Sequence, residues 1–213
     1  MMIIKYFKII LFLLLWNVFS LAYAETNPSQ DLIQYLNSLE TMQANFTQIV
    51  YDNHGKAVQQ SSGKIFLKRP GQFRWEVKNP IPQLIVANQS RLWIYDIDLE
   101  QVTVRLLKNT ADVPALLLSK NVDLNRDYAI QELAPNKNLR WFQLTPKNQD
   151  SAFKSIKLGF LNGKIQQMKL QDHLGHTTAI QFSHLKINQG ISSELFHLKI
   201  PSHADVIDET KSI

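Results

Sequence analysis

The segment that decides the fold is GKIFLKRPGQFRWEV, residues 63–77, which predicts two β-strands joined by a tight turn. Pro70-Gly71 fits the central pair of a type II turn, because proline presets the backbone at the second position and glycine accepts a positive φ at the third. After the turn, Phe73 and Trp75 alternate with polar residues, so the apolar side chains share one face. The segment therefore predicts an antiparallel hairpin with one buried face.

Arg69 lies at the end of the apolar face of the first of these strands. It is in phase with Ile65 and Leu67, which point to the same side of the strand. A buried guanidinium without partners is costly, and its five donors suit the backbone carbonyls of a neighbouring element. Two interpretations stay open from the pattern: Arg69 bonds such an element, or its head group extends into solvent.

The same alternation continues on both sides of the hairpin and is broken by turn residues. The segments that predict strands are 43–51, 58–69, 72–78, 83–87, 91–95, 100–107, 127–134, 139–145, 153–161, 164–172 and 176–188. Helical spacing of apolar residues appears after Asn27-Pro28 and again at about 112–119. Consecutive strands with two short helical segments predict a mainly β (α+β) fold, a strongly curved antiparallel sheet or barrel, and not a βαβ fold.

Residues 1–24 predict a signal peptide that is cleaved before Glu25. Lys5 and Lys8 form a positive start, an apolar run follows at 9–16, and Ala22-Tyr23-Ala24 is a small-x-small cleavage site. A membrane anchor needs roughly 20 consecutive apolar residues, which this run does not supply. We therefore expect residues 25–213 to form a single soluble domain. Export of a chain without cysteine suits the periplasm of a Gram-negative bacterium.

Composition and missing motifs argue against an enzyme and against a cofactor. The chain has no Cys, which excludes a disulfide scaffold, a thiolate metal site and a lipid-anchoring cysteine. It contains no nucleophile elbow, phosphate-binding loop, dinucleotide fingerprint or His-Glu-x-x-His motif. His173 and His176 flank a turn, and the pattern does not favour a metal site there. Without the leader, 21 Lys and Arg face 18 Asp and Glu, a mild excess that is compatible with an acidic partner, whereas export excludes nucleic acid.

The two helical segments are short and very apolar, as helices are when they cover the opening of a sheet. A curved sheet closed by a helical lid can enclose an apolar ligand. The residues predicted to line this cavity are Leu36 and Leu117 from the lid, with Leu67, Phe73 and Trp75 from the hairpin. Phe73 is expected at the rim, because it follows the turn where the sheet ends.

Several further stretches make the sequence recognisable. They are Leu39–Gln48 (LETMQANFTQ), Gly63, KRPG at 68–71 with Phe73-x-Trp75, Pro80, LWIYD at 92–96, LEQV at 99–102, PALLL at 114–118, Leu144-x-Pro146-Lys147, Asp172-x-x-Gly175 and the segment 196–206. In this order, and over essentially the whole mature chain, they resemble the LolA family of periplasmic outer-membrane lipoprotein carriers.

The resemblance implies an unclosed antiparallel β-barrel with a helical lid over an apolar cavity. It implies that acyl chains of lipoproteins are accepted from an inner-membrane ABC lipoprotein-release complex and delivered to an outer-membrane lipoprotein receptor, with the carrier acting as a monomer. In the family, the arginine at the position of Arg69 bonds lid backbone in the closed state, and the aromatic residue at the position of Phe73 matters for passing cargo on. The receptor has a similar fold with a lipid-anchored Cys, which this chain lacks.

Two alternatives remain at this stage. One is a periplasmic lipid- or protein-sensing half-barrel module without cargo transfer. The other is a periplasmic hydrolase whose catalytic residues assemble only in space, as carboxylate pairs do.

Overall fold

The described part of the chain forms one large β-sheet with two short helices. The computed structural model describes residues 27–88, 90–107, 117–119 and 123–211. The predicted signal peptide lies outside the described residues, and only the last three residues of the helix predicted at 112–119 lie within them. The domain boundary between residues 24 and 25 therefore stays a prediction.

The helices are α1 (Pro28–Asn37) and α2 (Leu124–Asp127), and 3-10 turns cover Ser193–Phe196 and Glu209–Lys211. The strands are β1 (Thr41–Tyr51), β2 (Ala57–Lys68), β3 (Gln72–Asn79), β4 (Gln83–Asn88), β5 (Arg91–Asp96), β6 (Gln101–Leu106), β7 (Tyr128–Asn136), β8 (Leu139–Pro146), β9 (Phe153–Leu161), β10 (Lys164–Asp172), β11 (Thr177–Ile187) and β12 (Asp205–Asp208).

These strands lie in one sheet in the order β12-β6-β5-β4-β3-β2-β1-β11-β10-β9-β8-β7. Every pair is antiparallel except β12 with β6. Because the edge strands β7 and β12 do not pair with each other, the described sheet stays open. Strand twist accumulates along so wide a sheet and curves it into a trough with a concave face. The predicted mainly β, unclosed architecture is confirmed.

Helix α1 begins where the sequence predicts. The side chain of Asn27 accepts a hydrogen bond from the amide of Ser29 at 3.1 Å, and Pro28 occupies the first turn, where its missing N–H costs nothing. Leu32 and Leu36 are buried one turn apart and face the concave side of the sheet. The helix therefore covers one end of the trough through a single apolar stripe.

All eleven predicted strands are present, with ends that agree within two residues. Asn162 and Gly163 both have positive φ values, 50° and 74°, as a two-residue hairpin turn of the primed type between β9 and β10 requires. Gly71 has a φ of 70°, the positive value predicted for it. The peptide bond between Arg69 and Pro70 is cis, which the turn pattern did not predict.

Two elements have no counterpart in the prediction, for different physical reasons. Strand β12 is exposed along its whole length, so its residues carry no alternation of apolar and polar side chains. Helix α2 has four residues, which is too short for a helical period to be visible. Neither difference changes the face of the sheet on which the predicted cavity lies.

The C-terminal segment packs on the opposite, convex face. Phe196 is fully buried there, and Arg74 donates a hydrogen bond to the Leu195 carbonyl at 3.1 Å. Lys68 reaches the hydroxyl of Ser193 at 2.8 Å. The convex side of the hairpin thus has its own small core, and the concave side is left for the lid.

Candidate functional site

The inward-facing residues of neighbouring strands form an apolar surface at the end of the trough beneath α1. Met42, Leu67, Phe73 and Ala87 pair in register across β1, β2, β3 and β4. All four side chains are fully buried. Directly opposed side chains share a face and lie in contact, so this row is a continuous apolar strip.

All five predicted cavity residues are packed inside one core, and Trp75 among them is 6% exposed. Leu36 is 3% exposed, Leu67 and Phe73 are 0% exposed, and Leu117 is 1% exposed. We call residues 117–119 the lid segment; its Leu117 and Leu118 belong to the same apolar cluster as the hairpin residues. In this conformation the apolar side chains of α1 and the lid segment pack with those of the hairpin on the concave face.

The rim position predicted for Phe73 is wrong. Its side chain has no exposed surface, although it is only two residues beyond the turn. The reason is that the lid segment lies against that turn: the Gly71 amide donates to the Ser119 carbonyl at 2.8 Å. A segment distant in sequence therefore covers the end of the hairpin, and strand position alone could not reveal it.

Trp75 belongs to the same core but also borders open space. It stacks on Phe46 with ring centroids 3.7 Å apart, and Gly63 lies beside the pair. A side chain at Gly63 would overlap the carbonyl oxygen of Glu76 and crowd the Phe46 ring, so the close approach requires glycine. Trp75 lines a cleft of about 430 Å³ together with Pro80 and other residues at the far end of β3 from the Pro70-Gly71 turn.

The lid segment is fastened to the turn between β2 and β3 by backbone and side-chain hydrogen bonds. The Nε of Arg69 donates to the carbonyl of Leu118 at 3.0 Å, next to the bond between Gly71 and Ser119. The Arg69 amide also donates to the Glu40 carbonyl at 2.8 Å, which ties the turn to the start of β1. Arg69 is half-buried and holds the lid segment down through a charged donor.

Burial lowers the pKa of the Arg69 guanidinium, because desolvation disfavours its charged form. The ordinary pKa of arginine is so high that the group stays protonated at neutral pH. Its hydrogen bond to a neutral carbonyl is therefore charge-assisted and stronger than a neutral one. Within the described residues it is the only hydrogen bond of the Arg69 side chain, and a moderate free energy can break it.

Arg140 forms a second attachment of the lid that the sequence reasoning missed. Its guanidinium contacts Glu132 through two hydrogen bonds of 2.7 and 2.8 Å, Asp31 of α1 at 2.8 Å and the Tyr35 hydroxyl at 2.9 Å. The hydrogen bonds that Arg140 donates to the carboxylates of Glu132 and Asp31 raise the Arg140 pKa further above its usual range. A signal existed: Arg140 is in phase with Phe142 in β8, just as Arg69 is in phase with Leu67 in β2.

We expect Arg140→Gln to lower the free energy of unfolding by about 1–2 kcal/mol, because it removes the bidentate ion pair with Glu132 and the link to α1. The loss is modest because solvent screens the Arg140 side chain, which is about one-third exposed. Thermal unfolding measures this loss. The matched control is Arg126→Gln, whose ion pair with Asp127 is on the surface. Equal melting temperatures for the two variants would show that Arg140 does not hold α1.

Asn188 joins the end of α1 to the sheet. Its side-chain oxygen accepts from the amides of Glu40 and Thr41 at 2.9 and 3.3 Å, and its Nδ2 donates to the Ser38 carbonyl at 2.7 Å. Its own φ is 55°, a left-handed value that asparagine tolerates. No pattern in the sequence marks Asn188, since its partners are more than a hundred residues away.

Comparison with known proteins places this geometry in a family. The family model described as "Outer membrane lipoprotein carrier protein LolA" matches residues 37–199, a range that includes the hairpin, Arg69 and the lid segment. The chain belongs to the LolA family. A LolA-family relative named outer-membrane lipoprotein carrier protein, from Methylococcus capsulatus, is 36% identical over 204 residues, which cover 95% of this chain and 97% of the relative. A relative of the same name from Methylobacillus flagellatus is 39% identical, over 84% of this chain and 88% of the relative. Another, from Pseudomonas aeruginosa PAO1, is 37% identical, over 89% of this chain and 92% of the relative.

Solved structures share the fold at low sequence identity. An uncharacterized conserved protein from Thermus thermophilus superposes with a TM-score of 0.54 and 14% identity, over 85% of this chain and 99% of its own. MucB superposes with a TM-score of 0.52 and 14% identity, over 86% of this chain and 66% of its own. At such identity the likeness shows a common fold and nothing about what this LolA-family chain binds.

Proposed function

We propose that this chain is a periplasmic carrier that holds the acyl chains of lipoproteins on its concave face and delivers them to the outer membrane. The observation that carries the proposal is the closed lid: apolar side chains of α1 and the lid segment are packed on an apolar concave face and fastened by Arg69. A packed interior whose cover is held by hydrogen bonds such as that of Arg69 can be uncovered when they break, which suits a ligand that must enter and leave. Membership of a family named for lipoprotein carriage supports the same conclusion.

The partners we propose are an inner-membrane ABC release complex as donor and an outer-membrane lipoprotein receptor as acceptor. The chain contains no phosphate-binding loop, so free energy for loading has to come from the donor. It contains no cysteine that could carry a lipid anchor, which favours the mobile carrier over the receptor. The described helices include none that is long and apolar enough to cross a membrane.

Magnitudes explain why such a carrier needs a lid that competes with its cargo. A triacylated anchor has about 40 methylenes, and at roughly 0.8 kcal/mol each their complete burial would contribute about 30 kcal/mol. Non-covalent affinities reach a limit near 18–21 kcal/mol, and a complex of that strength would not release its ligand on a useful timescale. A working carrier should therefore bury the acyl chains only partly, and closed-state contacts such as the Arg69 bond oppose binding further.

We expect the exported protein to begin at Glu25, since Ala22-Tyr23-Ala24 presents the cleavage site. Intact-mass measurement of protein from the periplasmic fraction tests this. Ala24→Leu, which removes the small residue at the cleavage position, serves as the control and should accumulate the uncleaved form. A mass that retains residues 1–24 in the wild type would contradict the prediction.

Saturable binding of a hydrophobic fluorescent probe tests the ligand-binding conclusion. The mature protein should bind the probe, and acylated lipoprotein should displace it, whereas the same lipoprotein without its acyl chains should not. Absence of saturable binding would mean that the concave face is a permanently packed core. Binding that lipoprotein cannot displace would place the probe elsewhere and would contradict the proposal.

A further inference from the structure

The 430 Å³ cleft at the far end of β3 has a chemical character unlike the packed end of the trough. Part of its lining is apolar and includes Trp75, Val77 and Ile85. The neighbouring part, on the same face of the sheet, carries the side chains of Gln59, Gln83 and Asp96. The cleft therefore combines a surface for an alkyl chain with a surface for a hydrogen-bonding group.

Asp96 is the most informative of these residues. Its Oδ1 is buried and has no hydrogen-bond partner among the described residues. It is also the only ionisable side chain among the described residues that line the cleft, so no cation of this chain compensates it there. A buried carboxylate oxygen without a donor is costly, and such a group in a ligand cleft calls for a donor from outside.

The register explains why Asp96 points into the cleft. It is the direct partner of Gln83 at the end of β5, and Gln83 is the partner of Val77 on β3. Side chains that are directly opposed share a face of the sheet. Asp96, Gln83 and Val77 therefore lie on the concave face, next to the row formed by Ile94, Ile85 and Trp75. An amphiphile that lies along this face would place its tail against Trp75 and its head group against Asp96.

We propose that this cleft is a head-group subsite, in which the Asp96 carboxylate accepts a hydrogen bond from an N–H donor, an ammonium or amide group, attached to an alkyl chain. This subsite would bind the polar part of the cargo of the proposed carrier. It rests on the proposed carrier function only for the identity of that cargo. The amide side chains of Gln59 and Gln83 complete the polar part of the lining with groups that both donate and accept.

Simple amphiphiles test the subsite without any lipoprotein. Calorimetric titration of the mature protein below the micelle concentration should compare dodecylammonium, dodecyltrimethylammonium and dodecanol. Dodecylammonium should bind about tenfold more tightly than dodecyltrimethylammonium, which has the same charge and no N–H. Equal affinities of wild-type protein for the two cations would overturn the proposal.

The variant Asp96→Asn should lose this preference while it keeps its affinity for dodecanol. Its melting temperature should equal or exceed that of the wild type, because a neutral amide replaces a carboxylate whose Oδ1 is buried without a partner among the described residues. The matched control Asp98→Asn, in the exposed turn after β5, should keep the full preference. Retention of the preference in Asp96→Asn, or its loss in Asp98→Asn, would contradict the assignment.

These results separate the subsite from the carrier function. If the ammonium preference depends on Asp96 but lipoprotein is never accepted, the subsite stands and the proposed cargo is wrong. If lipoprotein is transferred normally but the preference is absent, the carrier function stands and the subsite is wrong.

Discussion

Replacement of Arg69 by leucine is expected to leave loading with lipoprotein intact and to slow its delivery severely. The substitution removes the bond from Nε to the Leu118 carbonyl, which stabilises the closed, empty state. A hydrogen bond from a charged donor contributes about 1.5–3 kcal/mol, so cargo should be held about tenfold to a hundredfold more tightly. Leucine also extends the apolar face toward the acyl chains.

The measurement is the rate at which lipoprotein passes from the loaded carrier to receptor-containing membranes. Arg69→Lys should fall between wild type and Arg69→Leu, because a point charge replaces a planar guanidinium. Lys68→Leu is the matched control, since its ammonium contacts Ser193 on the convex side and not the lid segment. Wild-type transfer by Arg69→Leu would refute the role of this bond.

Phe73→Glu is expected to destabilise the whole protein. The Phe73 side chain is fully buried, and its ring lies nearly parallel to that of Trp75 with the ring centroids 6.2 Å apart. Removal of such a phenylalanine costs about 3–5 kcal/mol, and an unpaired carboxylate in its place adds to that loss. For a domain of this size the melting temperature should fall on the order of 10 °C or more.

Two controls separate stability from function at this position. Val58→Glu changes a strand residue that is 58% exposed and should melt near the wild-type temperature. Phe73→Leu keeps an apolar side chain and should remain folded, so its lipoprotein loading reports any direct role of the aromatic ring. Wild-type melting of Phe73→Glu would show that the lid segment leaves Phe73 uncovered in solution.

The sequence predicts the sheet well because each strand carries its own signal. Alternation around Pro70-Gly71 places Leu67, Phe73 and Trp75 on one face, and the structure has them on the concave face. The Asn162-Gly163 turn and the Asn27 cap are equally local, since their backbone requirements are met within a few residues.

The same local patterns say little about what covers the sheet. The burial of Phe73 depends on the lid segment, more than forty residues away in sequence, and the Asn188 bonds to Glu40 and Thr41 connect opposite ends of the chain. Alternation identifies the face of a strand but not the neighbour on that face. For this reason the shared face of Leu67, Phe73 and Trp75 is predicted correctly while the rim position of Phe73 is not.

Arg69 and Arg140 show what the alternation of a strand can and cannot predict about a polar contact. Arg69 and Arg140 are both in phase with apolar residues, which indicates that each must find polar partners on the concave side. The identity of those partners, a lid carbonyl for Arg69 and carboxylates from α1 and β7 for Arg140, follows only from the folded arrangement. An inward arginine in a strand is thus a recognisable sign of a polar attachment whose partner has to be found in space.

The most direct test of the account is whether the mature protein removes lipoprotein from one membrane and delivers it to another. Inner-membrane vesicles that contain the release complex and a labelled lipoprotein are energised with ATP, with and without the protein, and the label in the supernatant is measured. The account predicts label in a soluble complex with this protein, and subsequent transfer of that label to outer-membrane vesicles. Label that stays in the inner-membrane vesicles, although an established carrier of the family releases it under the same conditions, would contradict it.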